Sequence, residues 1–251
     1  IAALFIAIGL FYRVAALFFF LGFTYVELLD VTTYLNHYYF ISLVAFIMIW
    51  LPAACDYSVD VLLKPSKRRK MVPLWCIGII RFQMAIVYIF ACLATVNADW
   101  LLDAQPLRIW LPGKTHLPIV GSFMYEEWVA YLFSWFGAIY DLFIVFFLLN
   151  KRTRLVAYAF VIIFHTATAI FFPGIGMFPY VMMTCSLVFF SSGFHEKLLS
   201  YIPFRAGKDT PAYVNTIPYQ YVSSRPFYLA IGLYVLIQIT LPFRYILYPG
   251  H

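Results

Sequence analysis

A chain of 251 residues that is 64% hydrophobic, 21% aromatic and 11% charged, with a mean hydropathy of +0.87, carries more apolar surface than a water-soluble globule of this size can bury. It is a membrane protein by composition. The formal charge of +6 does not mark a nucleic-acid binder, because the basic residues stand in short clusters between apolar runs, where they set orientation in the bilayer.

A hydrocarbon core about 30 Å thick takes roughly 20 apolar residues per helix. In chain order the candidate runs are 1–11 (truncated), 14–29, 36–52, 73–96, 128–150, 154–172, 175–191 and 227–247. The expectation is an all-α integral membrane protein, a multi-pass helical bundle of about eight spans. The chain opens on IAALFIAIGL and closes on LYPGH directly after an apolar run, so it reads as a fragment of something longer. The first run has no basic stretch before it and no small-residue cleavage site after it, which disfavours a signal peptide. No repeat or low-complexity linker divides the sequence, and residues 1–251 are expected to form a single transmembrane domain. Cys55, Cys76, Cys92 and Cys185 stand singly and say nothing about redox compartment.

If the runs alternate across the membrane, Arg13 and the loops 53–72, 151–154 and 192–226 share one face. They hold 13 of the 17 Lys and Arg, against two, Arg108 and Lys114, in the loops of the other face. The positive-inside rule makes the first face cytoplasmic and places loop 97–127 on the periplasmic side of what is expected to be a bacterial cytoplasmic membrane. That loop, with three tryptophans among prolines and leucines, suits a segment lying in the interface or folding back over helix ends.

Ionisable and amide groups inside spans are costly and mark helix pairs or functional sites. Here they are Glu27, Arg81, Gln83, Asp141 and His165, with Asn36 and His37 at a helix entrance and Asn97 and Asp99 at a helix exit. Helical spacing puts Arg81, Tyr88, Cys92 and Thr95 roughly on one face, which is expected to look into the bundle. Arg81 and Asp141 fall at comparable depth and are read as a pair, either a buried ion pair fixing register or part of a substrate site. His37 and His165, with Thr95 and Asn97, are expected to converge on the outer half, each either a packing histidine or part of a site. No HExxH, thiolate pair, GxSxG, Walker loop or dinucleotide fingerprint occurs, so no metal is expected. Residue chemistry alone leads to a polar, aromatic-lined pocket for an amphiphile such as a quinone or a lipid headgroup.

The motifs NHYYF (36–40), VPLW (72–75), RFQMAIVYIFA (81–91), NADWL (97–101), FHTATAIFFPGIGMFPYVM (164–182) and FHEKLLSY (194–201), in that order, resemble the vitamin K-dependent gamma-carboxylase family and its bacterial relatives, whose shared unit is the horizontally transferred transmembrane domain. The resemblance implies an active site open to the lumenal or periplasmic side. It implies an enzyme that couples epoxidation of a vitamin K hydroquinone to removal of a glutamate γ proton and addition of carbon dioxide, with a deprotonated lysine as starting base. Asn36, His37 and His165 match positions implicated in that site. The lysine position is held by Thr95, whose hydroxyl does not ionise near neutral pH, whereas a desolvated lysine would be a neutral amine. Lys114, His37 and His165 are the alternative bases. The resemblance also implies that a first span and a large extramembrane C-terminal region of the family are absent from this chain.

Two functions follow. One is a carboxylase-like protein with a quinol or lipid pocket on the external side, in which glutamate carboxylation is doubtful; its site draws on His37, His165 and Thr95, with Asn36, Arg81, Gln83, Tyr88, Asn97, Asp99 and Trp100 as ligand-binding residues and a vitamin K-type hydroquinone or other quinone as cofactor. The other is a non-catalytic membrane subunit or scaffold, partnered by lipid and by other membrane proteins.

Overall fold

The computed structural model describes residues 1–30, 32, 34–69, 71–201 and 225–243. Arg205 and Lys208, counted above in the 192–226 loop, lie outside the described residues, as do Lys70 and the end of the 227–247 run. Among the described residues every regular element is helical. Five helices are long and apolar enough to cross a membrane: Tyr12–Leu29, Leu74–Thr95, Glu127–Leu149, Arg154–Phe171 and Arg225–Phe243. The other three expected spans are helical but shorter, at Ala2–Ile8, Asn36–Trp50 and Phe178–Phe189.

The chain forms two compact units, Ile1–Gln83 with the described part of Ser191–Arg244, and Met84–Phe190. The first begins with α1 (Ala2–Ile8), stopped by Gly9 at φ 65°. The Gly9 N–H bonds to the Ile6 carbonyl and the Leu10 N–H to the Phe5 carbonyl, which satisfies the helix's last acceptors. A side chain at Gly9 would also sit 2.4 Å from the Ser58 Cβ, so both backbone angle and space demand glycine. The chain then reverses into α2 (Tyr12–Leu29), and Arg13, expected in a loop, occupies its first turn.

α2 and α3 (Asn36–Trp50) pack antiparallel. Phe20 meets Phe46, the Tyr12 hydroxyl donates to the Met48 carbonyl, and Thr24 donates to Ser42, which donates to Glu27 at 2.6 Å. That chain of bonds gives the intramembrane carboxylate of Glu27 a donor. The short α4 (Val59–Leu63), capped by the Ser58 hydroxyl, brings Asp60 to the start of α2, where its carboxylate accepts from the N–H groups of Phe11 and Tyr12. These donors have no partner within their own helix and attract a negative charge. α5 (Leu74–Thr95) crosses from the first unit to the second at Gln83. Cys76 and Ile79 pack with Ile47, Leu51, Tyr234 and Val235.

The second unit holds the rest of α5, two short helices, α6 (Ala98–Leu101) and α7 (Leu107–Trp110), and then α8 (Glu127–Leu149), α9 (Arg154–Phe171) and α10 (Phe178–Cys185). The 97–127 segment is not loose: Ala104, Leu107, Leu111 and Met124 pack with Val129 and Ala130 at the head of α8 and against Phe171 and Phe172 at the tail of α9. Trp100 and Trp135 each donate an indole N–H across this contact, to the carbonyls of Ser134 and Leu101. At the opposite end of α8, Arg154 donates to the carbonyls of Leu148 and Leu149, so a residue of the basic KRTR cluster also satisfies the C-terminal acceptors of a helix. The first unit is completed by α11 (Ser192–Leu199) and α12 (Arg225–Thr240).

Candidate functional site

α5 buries two rows of side chains, Cys76, Ile79 and Gln83, then Met84, Tyr88 and Cys92, each at the spacing of one helix face. It carries two polar clusters, one in each unit. In the first unit Gln83 accepts from the Tyr234 hydroxyl at 2.6 Å and donates to the Gln238 side-chain oxygen at 3.3 Å, joining α5 to α12.

In the second unit Tyr88 and His165, both 1% exposed, face each other with the Tyr88 hydroxyl 3.1 Å from His165 Nε2. Antiparallel packing of α8 on α9 stacks Tyr140 on Phe164 at 4.0 Å and brings the Tyr140 ring edge to His165. Phe178, at the start of α10, closes the ring of aromatic neighbours around the imidazole. Asp141 lies close enough to Tyr88 and Cys92 to act on both electrostatically.

The hydroxyls of Tyr140 and Ser186 lie within hydrogen-bonding reach of the Tyr88 hydroxyl, while Nδ1 of His165 is a buried polar atom without a hydrogen-bond partner among the described residues. Leaving such atoms unpaired costs about 1–3 kcal/mol each, and buried polar groups are nearly always satisfied by protein, water or ligand. When Tyr88 donates to Nε2, Nδ1 carries the hydrogen; in the other tautomer Nδ1 is the acceptor. Either way one imidazole nitrogen is left without a partner within aromatic walls.

The remaining expected residues fall elsewhere. Thr95 ends α5, and its hydroxyl donates to the Cys92 carbonyl at 2.7 Å, a bond within its own helix. Asn97 caps α6 by accepting from the Trp100 N–H and donates to the Ala94 carbonyl, so its amide shapes the turn between two helices. Asp99 is exposed on α6. Asn36, exposed, and His37, buried, open α3 with the His37 ring 4.6 Å from that of Tyr38. His37 and Arg81 belong to the first unit, His165 and Asp141 to the second. Lys114 ends the tight turn Leu111–Lys114. Among the described residues no group of three or more His, Cys, Asp or Glu is placed to hold a metal. Sequence reasoning did not single out Tyr140, Ser186 or Phe178: tyrosine, serine and phenylalanine are ordinary in spans, and only their convergence on His165 distinguishes them.

Helices of membrane-crossing length around an aromatic-walled polar cluster define an integral, multi-pass, all-α membrane protein. Residues 1–194 match the family model described as the HTTM domain. The chain belongs to that family, the transmembrane domain of vitamin K-dependent gamma-carboxylase-like proteins. No solved structure matches it.

Proposed function

We propose that this chain is a vitamin K-dependent gamma-carboxylase-like membrane protein whose second unit holds a quinol, or a lipid-type head of similar chemistry, at the Tyr88–His165 pair, and that it does not carboxylate glutamate. The observation that supports the first half is the buried Tyr88–His165 pair, with the hydroxyls of Tyr140 and Ser186 beside it and Nδ1 of His165 without a partner among the described residues. When bound, a hydroquinone would supply the reducing equivalents for oxygen chemistry. Of this chain's residues, His165 would exchange a hydrogen bond with one ring oxygen through Nδ1, Tyr140 and Ser186 would hold the other polar edge, and Phe164 and Phe178 would keep water away. Tyr88 would hold the tilt of His165 through the bond to Nε2.

The second half rests on Thr95. The family lysine would act as a neutral amine, and the hydroxyl standing there is engaged by its own helix and does not ionise near neutral pH. We place loops 53–72, 151–154 and 192–226 in the cytoplasm and 97–127 outside, on the charge asymmetry alone.

The test uses full-length protein in lipid nanodiscs supplied with vitamin K hydroquinone, oxygen and bicarbonate. Epoxide is followed by mass spectrometry beside a Thr95→Lys variant, and quinone binding is measured in both. The reading expects both proteins to bind quinone and epoxide to come only from Thr95→Lys. Epoxide from the wild type would show that another base works; absence of quinone binding would remove the pocket.

A second reading, a non-catalytic subunit or scaffold, draws on the span Arg225–Phe243, of which only 6% is buried, leaving Tyr228, Leu229, Leu233 and Leu236 exposed. A partner helix would cover that face. Purification as a lone monomer in mild detergent would count against it.

A further inference from the structure

The first unit contains a cleft of about 580 Å3 at the mouth of α2 and α3, lined by Arg13, Lys64, Lys67 and Arg69, with Val14 and Leu51 among its apolar residues. Asp60 is the one carboxylate in the lining, against four cationic side chains, and its oxygens accept from the N–H groups of Phe11 and Tyr12. The Arg69 guanidinium is braced by the carbonyls of Ser66 and Arg68. Among the described residues the ion pairs join Arg68 to Asp56 and Arg108 to Glu127, and no carboxylate pairs with Lys64, Lys67 or Arg69.

We propose that this cleft binds the phosphate of an anionic phospholipid headgroup. Guanidinium and ammonium groups recognise phosphate oxygens by charge-assisted hydrogen bonds. The volume far exceeds a lone phosphate ion and lies in the range of small-molecule sites. An apolar wall beside a basic one, where two lipid-facing helices end, fits an amphiphile whose head is anionic and whose tail runs along α2. The site is independent of the Tyr88–His165 cluster and of any chemistry there.

The experiment reconstitutes the full chain in nanodiscs of equal phosphatidylglycerol and phosphatidylcholine, extracts it in mild detergent and weighs retained lipids by native mass spectrometry. Wild type is expected to retain phosphatidylglycerol over phosphatidylcholine by at least about tenfold. A Lys64→Gln/Lys67→Gln/Arg69→Gln variant should lose that preference, and a Lys151→Gln/Arg152→Gln variant, which removes exposed charge from another basic loop, should keep it. Val14→Trp fills the cleft without touching a charge and should also lose it; this variant decides the matter should the triple variant not fold. Unchanged retention in Val14→Trp and the triple variant would overturn the proposal, as would equal loss in the Lys151/Arg152 control. Displacement of the lipid by millimolar glycerol 3-phosphate would assign the cleft to soluble phosphate esters and overturn the lipid assignment.

Discussion

Gln83 and Tyr88 stand little more than one turn apart along α5 but on different buried faces of it, and their surroundings differ in kind. Around Gln83 the side-chain amide finds a hydroxyl donor in Tyr234 and an acceptor in Gln238, a small network that closes on itself. Around Tyr88 the hydroxyls of Tyr140 and Ser186 and the His165 imidazole gather on one phenol, and Nδ1 of His165 is left without a partner among the described residues. A closed network inside a membrane bundle fixes the register of helices, since the alternative for each group is an unpaired dipole in hydrocarbon. An open one costs stability unless a further donor or acceptor completes it, and on that difference the proposal of a site at Tyr88 and His165, and none at Gln83, is built.

That contrast can be broken or sharpened by substitution. The largest effect is expected from His165→Phe, which keeps an aromatic ring but removes both nitrogens. Quinone affinity measured in nanodiscs should fall by about 10- to 100-fold, the equivalent of a hydrogen bond to a buried group, and an unchanged affinity would remove His165 from the site. Gln238→Leu should do the opposite. It leaves the Gln83 amide nitrogen without its acceptor and should lower stability by about 1–3 kcal/mol, read as a fall in the detergent melting temperature, while quinone affinity, set at a cluster with which Gln238 shares no hydrogen bond, stays within about twofold. A smaller loss, about 1 kcal/mol, is expected from Asp60→Ala, which strips the acceptor from the N–H groups that open α2; thermal unfolding in detergent measures it.

The smallest effect is at Asp30, beyond the end of α2. Its carboxyl pKa is held below the ordinary 3.8, chiefly by the hydrogen bond from the Thr32 hydroxyl and then by that from the Thr32 N–H. A depressed pKa means that the stabilisation is present above the unfolded value and is lost as pH falls through the folded one. Thr32→Val should move the titration back up toward 3.8, and NMR titration of the carboxyl should show it.

Much of the architecture was legible because lipid imposes it. The apolar runs predict the helices 12–29, 74–95, 127–149, 154–171 and 225–243 to within a few residues, since each must satisfy its own backbone in hydrocarbon. The first run was read as helical through residue 11, but Gly9 ends it at Ile8 and Arg13 becomes part of the next helix; hydropathy averages over a single glycine. Tyr88 and His165 were both singled out, yet periodicity along one helix gives no distance to another, so their contact was not foreseen. The partners of Gln83, Tyr234 and Gln238, lie more than 150 positions away and carry no charge to flag them, so the sequence does not show its network. Nor does it show that the Asn97 amide bonds within the turn between α5 and α6. Thr95 was the most informative position, since an absent lysine is visible without any structure.

The most direct test is the dissociation constant of a vitamin K-type quinone for the wild-type chain in nanodiscs, measured beside His165→Phe and Gln238→Leu. The account predicts saturable binding to wild type and to Gln238→Leu with affinities within about twofold, and a loss of about tenfold or more in His165→Phe. Equal affinity in all three, or weakening only in Gln238→Leu, would contradict it.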